Sequence, residues 1–224
     1  MGNNGKRFEV TKFKIGSYKC IVIYEKHLKE AVPYIKSGVV KASKILVTDN
    51  DIIITVPTSN DKFKVNGVNG STSNGHAFSL AINSAEPDWK GFVECTAIHE
   101  FNHIIRLQRV RNANGMTLAD HLALEGLAQC FAEELTGIKR SWSTSISEAE
   151  AKIIWNMIKR KLDVKSRDLF FRIFLNRGDK QFPHWSGYAI SYLIIKRRLK
   201  ELKGKNWNEV IGMSSKVLMK DAGI

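Results

Sequence analysis

The chain has 224 residues and a mass of 25.3 kDa, with 43% hydrophobic and 25% charged side chains, which suits one globular domain and excludes a disordered or collagen-like chain. No window approaches 18 uninterrupted apolar residues, so a membrane span is not expected. Lys plus Arg is 35 against 22 for Asp plus Glu, and a net charge of +13 raises nucleic acid or an anionic surface as possible partners.

The opening MGNNGKRFEVTKF has no apolar core and no small-residue cleavage site, so no secretory signal is visible and a cytoplasmic location is expected. Residues 17–24 (SYKCIVIY) and 51–56 (DIIITV, ending at Pro57) are β-branched and aromatic, as strands are. Between them, residues 26–46 carry apolar side chains at helical spacing, with Pro33 at a break or in the first turn of the second part. Residues 57–75 (PTSNDKFKVNGVNGSTSNG) are rich in Asn-Gly steps and are expected to form hairpin turns or an irregular loop. Residues 76–83 (HAFSLAIN) alternate like a short strand. From Asp88 onward the pattern is helical, with helices expected near 88–109, 117–136, 146–162, 166–176, 185–203 and 206–219. The expected organisation is a single α+β domain over 1–224, with a mixed part holding a sheet over 1–87 and a helical part over 88–224.

Charge is unevenly spread along this chain. Residues 1–150 hold 18 basic and 16 acidic side chains, residues 151–224 hold 17 and 6, and residues 91–150 hold 5 and 8. The three cysteines, Cys20, Cys95 and Cys130, are scattered with no CxxC spacing and read as reduced thiols.

The acidic stretch contains His99-Glu-Phe-Asn-His103, an H-E-x-x-H motif. On a helix, His99 and His103 lie one turn apart on one face and can share a metal ion, while Glu100 projects beside that face where it can reach a water without being a ligand. Flanking VECTAI and IIRLQRV carry no Gly or Pro, so the helix continues through the motif. Random placement of this chain's His and Glu residues would produce the motif roughly 0.01 times. The alternative is two histidines on a buried or solvated helix face.

A hydrolytic zinc site takes three protein ligands and leaves a position for water, so a third ligand is needed. Thr117 with Asp120 resembles a capping box that opens a second helix. On that helix Glu125 sits among Ala123, Leu124, Gly126, Leu127 and Ala128, where a carboxylate is costly to desolvate unless it meets a cation or a proton. Glu125 is the best third ligand, and Gly126 would let another helix approach closely. His121, one turn earlier, reads as a packed or supporting histidine more than a ligand, and Asp120 lies near the helix start. Glu133, Glu134 and Glu94 read as solvated or supporting carboxylates.

With Leu124-Glu-Gly-Leu-Ala and Trp185-Ser-Gly-Tyr-Ala-Ile-Ser-Tyr192 added, the pattern resembles a bacterial family of predicted Zn-dependent proteases with a gluzincin-like H-E-x-x-H…E site. The resemblance covers roughly residues 50–200. It implies one zinc ion bound by His99, His103 and Glu125, Glu100 as the general base, and a zincin-like minimal metallopeptidase fold. In that fold a small twisted sheet packs on the active-site helix and further helices follow. Members often show Gly where this chain has Ser191, which leaves the backbone there open.

The expected activity is therefore hydrolysis of a peptide or protein substrate, with Glu100 taking the proton of a water polarised by the metal. An oxyanion needs a further donor, and Tyr188 is the candidate, with His184 and Tyr192 one turn away to either side. The same aromatics could instead form a core stripe. A substrate would add as a strand along a sheet edge, for which residues 76–82, with His76 and Phe78, are the candidates by fold analogy.

Two other functions remain in view. The Lys196–Lys205 stretch lies on a basic, apolar-striped helix that could bind nucleic acid or an anionic surface, although no nucleic-acid motif accompanies it and specific nucleic-acid binding is not expected. A catalytically silent zinc-binding relative is the other, against which the retained Glu100 argues.

Overall fold

Alternation of buried and exposed side chains at period two defines the sheet, because successive strand residues face opposite sides. In the computed structural model, which describes residues 7–60, 65–110, 115–175 and 179–220, the strands are β1 (Phe8–Ile15), β2 (Tyr18–Glu25), β3 (Ile52–Val56), β4 (Val68–Asn74) and β5 (Ala77–Ile82). Cys20, Val22 and Tyr24 pair across β2 and β3 with Ile52, Ile54 and Val56, and Ile54 pairs with Phe78 of β5. All seven side chains are buried, so they form one continuous apolar face. The strand order is β1-β2-β3-β5-β4, with β2, β3 and β5 parallel and β1 and β4 antiparallel at the two ends.

Helix α1 (Val32–Ser43) connects the parallel strands β2 and β3, as a parallel crossover requires. Pro33 falls in its first turn, where its missing N–H costs nothing. Ile35, Gly38, Val39 and Ala42 are its buried stripe. Helix α2 (Trp89–Arg109) carries the histidine pair and is buried continuously from Cys95 to Arg106. Gly38 lets α1 and α2 meet closely, since a Cβ there would lie 2.7 Å from the Glu94 carbonyl oxygen and 3.1 Å from the Ala97 Cβ. Lys41 of α1 also pairs with Glu94 of α2. At the far end of α2, Gln108 accepts from the Thr48 hydroxyl at 2.8 Å and donates to the Gly75 carbonyl at 2.5 Å.

Two strands go beyond the expectation. β1 lies in the N-terminal stretch, where the sequence pattern predicts no strand. β4 occupies part of the segment expected to be turns or loop. Of its Asn-Gly steps, Asn66–Gly67 turns with positive φ at both residues and Asn74–Gly75 leads into the β4–β5 hairpin, but Asn69–Gly70 is extended within the strand. Pairing with β5 supplies what the polar sequence VNGSTSN does not signal on its own.

The chain divides into two compact units, Met1–Gln108 and Arg109–Ile224, so α2 belongs with the sheet and not with the helices that follow. The second unit contains α3 (Leu118–Thr136), α4 (Glu148–Ile158), α5 (Arg167–Phe174), α6 (Ser186–Glu201), α7 (Trp207–Ile211) and α8 (Ser215–Met219). The capping box at Thr117 and Asp120 is present, and Gly137 closes α3 in the left-handed conformation. Ser147 and Glu150 form a second capping box for α4. The single helix expected over 206–219 is two, because Gly212 ends α7 and the Ser214 side chain caps α8 at the Val217 amide. Leu122 and Leu127 of α3, Trp155 of α4, Phe174 of α5 and Ile190 and Ile195 of α6 belong to one core.

Gly126 is where α3 meets α6. A Cβ there would lie 2.5 Å from Ile195 Cγ1 and would collide with the Ser191 backbone carbonyl. Ser191 is fully buried and donates its hydroxyl to the Gly187 carbonyl at 2.6 Å. That bond satisfies the hydroxyl inside its own helix, and α6 runs through Ser191 as a regular helix. Among the described residues no helix is long and apolar enough to cross a membrane.

A glycine-to-alanine change inside a helix ordinarily stabilises by up to about 1 kcal/mol. Gly126→Ala should instead destabilise by about 1–3 kcal/mol, because its methyl meets backbone that cannot rotate away. A lower urea midpoint with an unchanged slope checks this. Gly91→Ala, with open space around its Cβ, should be neutral or stabilising.

Candidate metal centre

Helical geometry brings the motif together as its spacing requires. The His99 and His103 rings stand edge-on, 85° apart in plane with centroids 4.6 Å apart. One ligating atom from each of His99, Glu100 and His103 lies within 4.8 Å of the others, and all three residues are buried. Two imidazoles one turn apart are nitrogen donors of the kind catalytic zinc takes, with the Glu100 carboxylate beside them. Burial of such groups away from water is expensive unless a cation or hydrogen bonds answer them. The donor chemistry therefore fits a divalent cation.

Glu100 is 3% exposed and held from β4. The Thr72 hydroxyl donates to Glu100 Oε2 at 2.7 Å and also faces the Glu100 carbonyl oxygen at 3.3 Å. Gly70 lies directly against the same side chain, since a Cβ there would be 2.5 Å from Glu100 Cδ and 2.6 Å from Cγ. Val68, Gly70 and Thr72 alternate along β4 and so share the face turned to α2. The β4 register shifts between Thr72 and Asn74, and bulges of this kind re-aim side chains next to functional sites.

Sequence reasoning missed Gly70 and Thr72. Their one available signal was a β-type alternation masked by small polar neighbours. The substrate-edge expectation also shifts. β5 is paired on both flanks, by β3 and β4, and Phe78 is buried on the apolar face, whereas His76 is exposed in the turn before it with its amide donating to Asn74 Oδ1 at 2.8 Å. Of the two end strands, β1 and β4, it is β4 that lies against the Glu100 side chain.

In the second unit Glu125 is half-buried on α3, one turn after His121. His121 tilts over the Phe170 ring with centroids 4.3 Å apart, and burial lowers its pKa, opposed by the charges of Glu125 and Asp120. It is a packed histidine. Asp120 is engaged by the capping box and by the Ser215 hydroxyl at 2.6 Å. Glu94 pairs with Lys41 and Glu133 with Lys196.

Tyr188 packs edge-on against Phe174 at 5.1 Å and lies 6.2 Å from Trp142, so the aromatic stripe is present. Tyr192 is buried, burial being the main cause that pushes its phenol up to about 12, and its hydroxyl receives Lys196. His184 tilts against the Trp185 ring with centroids 4.3 Å apart, and Trp185 takes a positive φ of 64° immediately before α6. A bulky residue in that region is strained and depends on its surroundings to hold it. The basic side chains of the C-terminal third include Lys196, Arg197, Arg198, Lys205 and Lys216, paired with Glu133, Glu148, Glu201, Glu209 and Asp163.

Comparison with known proteins places this arrangement in context. Residues 26–220 match the family described as "Predicted Zn-dependent protease (DUF2268)". The uncharacterized protein YjfC of Bacillus subtilis (strain 168) is 33% identical over 105 residues, which cover 42% of this chain and 35% of that protein. A crystal structure of an aminopeptidase N family protein from Idiomarina loihiensis superposes with a TM-score of 0.58 over 92% of this chain and 40% of its own, at 11% identity, a likeness of fold. The chain thus spans about two-fifths of that protein's length, and the match to YjfC about a third. With its buried His-Glu-His turn and a match that runs from residue 26 to residue 220, this chain belongs to the family of predicted Zn-dependent proteases.

Proposed function

We propose that this protein is a zinc-dependent peptidase of the H-E-x-x-H…E type, with a zincin-like arrangement of sheet and active-site helix. The observation that carries the reading is the buried cluster of His99, Glu100 and His103 on one turn of α2, in a chain of a predicted Zn-dependent protease family. His99, His103 and Glu125 are proposed to hold one zinc ion. Support for Glu125 is its half-buried setting on α3 among small and apolar neighbours, a place where carboxylates are uncommon without a role.

Zinc, when bound, supplies Lewis acidity towards a water and a peptide carbonyl. Glu100 accepts the proton of the attacking water and passes it to the leaving amine nitrogen, so its carboxylate ends the cycle as it began. The Tyr188 hydroxyl donates to the oxyanion that forms when the carbonyl carbon becomes tetrahedral. Packing against Phe174 and Trp142 holds that side chain, and a positioned donor is what such stabilisation requires. A peptide substrate lies along β4, the end strand that touches Glu100, in the manner of an added strand, with backbone hydrogen bonds supplying most of the contact.

Protein purified without added metal should contain about one equivalent of zinc by elemental analysis, and His99→Ala should lose it. Glu100→Gln should keep the zinc and lose cleavage of a quenched peptide library; parental cleavage by that variant would overturn the mechanism. Glu125→Ala should lower zinc affinity by an order of magnitude or more, read by chelator competition. Tyr188→Phe should lower kcat by roughly 10²–10³ with KM and zinc content unchanged, while Tyr192→Phe leaves kcat close to the parent.

A further inference from the structure

We propose that Thr72, on strand β4, is a positioning residue for Glu100, fixing which carboxylate oxygen is available for proton transfer. The inference rests on the reading of Glu100 as the base. Three observations converge on it. The Thr72 hydroxyl lies 2.7 Å from Glu100 Oε2, a short contact of the kind made by a hydroxyl donating to a carboxylate. The other oxygen, Oε1, is the carboxylate atom nearest the space beside Gly70, where any Cβ would displace it. The register shift follows directly after Thr72, so the strand is locally adjusted where the bond is made.

A glutamate has three side-chain torsions, and holding one in a single rotamer by packing alone is difficult for so polar a tip. Here β4 does it with two residues on one face. Gly70 leaves room for the carboxylate stem, and Thr72 ties down Oε2 while keeping its own proton. Oε1 is then the oxygen presented for accepting and releasing a proton. A β-branched residue suits the task, because its restricted χ1 helps hold the hydroxyl in place, with the Glu100 carbonyl oxygen 3.3 Å away as a weaker second acceptor.

The test uses the full chain, with Thr72→Val and Thr72→Ser beside the parent. Valine keeps the shape and removes the donor. With zinc bound, Thr72→Val should lower kcat by roughly 10–100-fold at unchanged KM and zinc content. Thr72→Ser should recover to within about threefold of the parent, which loss of packing alone would not allow. A second readout needs no metal and no substrate. In metal-free protein, Thr72→Val should lower the melting temperature by roughly 2–4 °C in the parent and by much less in a Glu100→Ala background. If Thr72→Val matches the parent while Glu100→Gln is inactive, the positioning role is wrong and the base survives. If Thr72→Ser is as impaired as Thr72→Val, or if the two melting shifts are equal, the positioning role is also overturned. Parental activity in Glu100→Gln would instead remove the base reading beneath it.

Discussion

A buried helical turn that carries two imidazoles and a carboxylate must have its polar atoms answered from within the protein, because water no longer reaches them. This constraint organises the first unit. α2 is buried along most of its length, and its Glu100 side chain lies against β4 at one end of the sheet. β4 responds with a glycine and a threonine on the same face, one giving space and the other a hydrogen bond. The two imidazole nitrogens beside that carboxylate are donors of the kind a divalent cation takes.

Glycines decide approach distance in both units. Gly38 sets α1 against α2 and Gly126 sets α3 against α6, and in each case the atom in the way of a Cβ is backbone. Side chains can rotate away from an intruding methyl, whereas a helix backbone moves only as a body. The acidic and imidazole groups around Gly126 then divide by environment. Asp120 is engaged by the cap of α3 and by Ser215, and His121 packs on the Phe170 ring.

Local pattern made several elements legible. The histidine spacing placed both rings on one face of α2, since the rise and turn of a helix leave no other outcome. Thr117 and Asp120 marked the start of α3, and the apolar runs at 51–56 and 76–83 marked β3 and β5, each within a residue or two. β4 was not legible. Its residues Val68-Asn-Gly-Ser-Thr-Ser-Asn74 have the composition of a turn, and they are extended because β5 pairs with them. The break at Gly212 was equally hidden, as the apolar stripe continues through it into α8.

What the sequence by itself determined is the chemistry available: two imidazoles one helical turn apart, a carboxylate between them, and a family resemblance to zinc proteases that the match over residues 26–220 bears out. Only the tertiary structure decided which strand ends the sheet and what touches Glu100. A helix repeats its geometry from residue to residue, so spacing along the chain is enough to place its side chains. Strand order and the contacts of Gly70 and Thr72 join residues about 30 positions apart, and no local rule relates them.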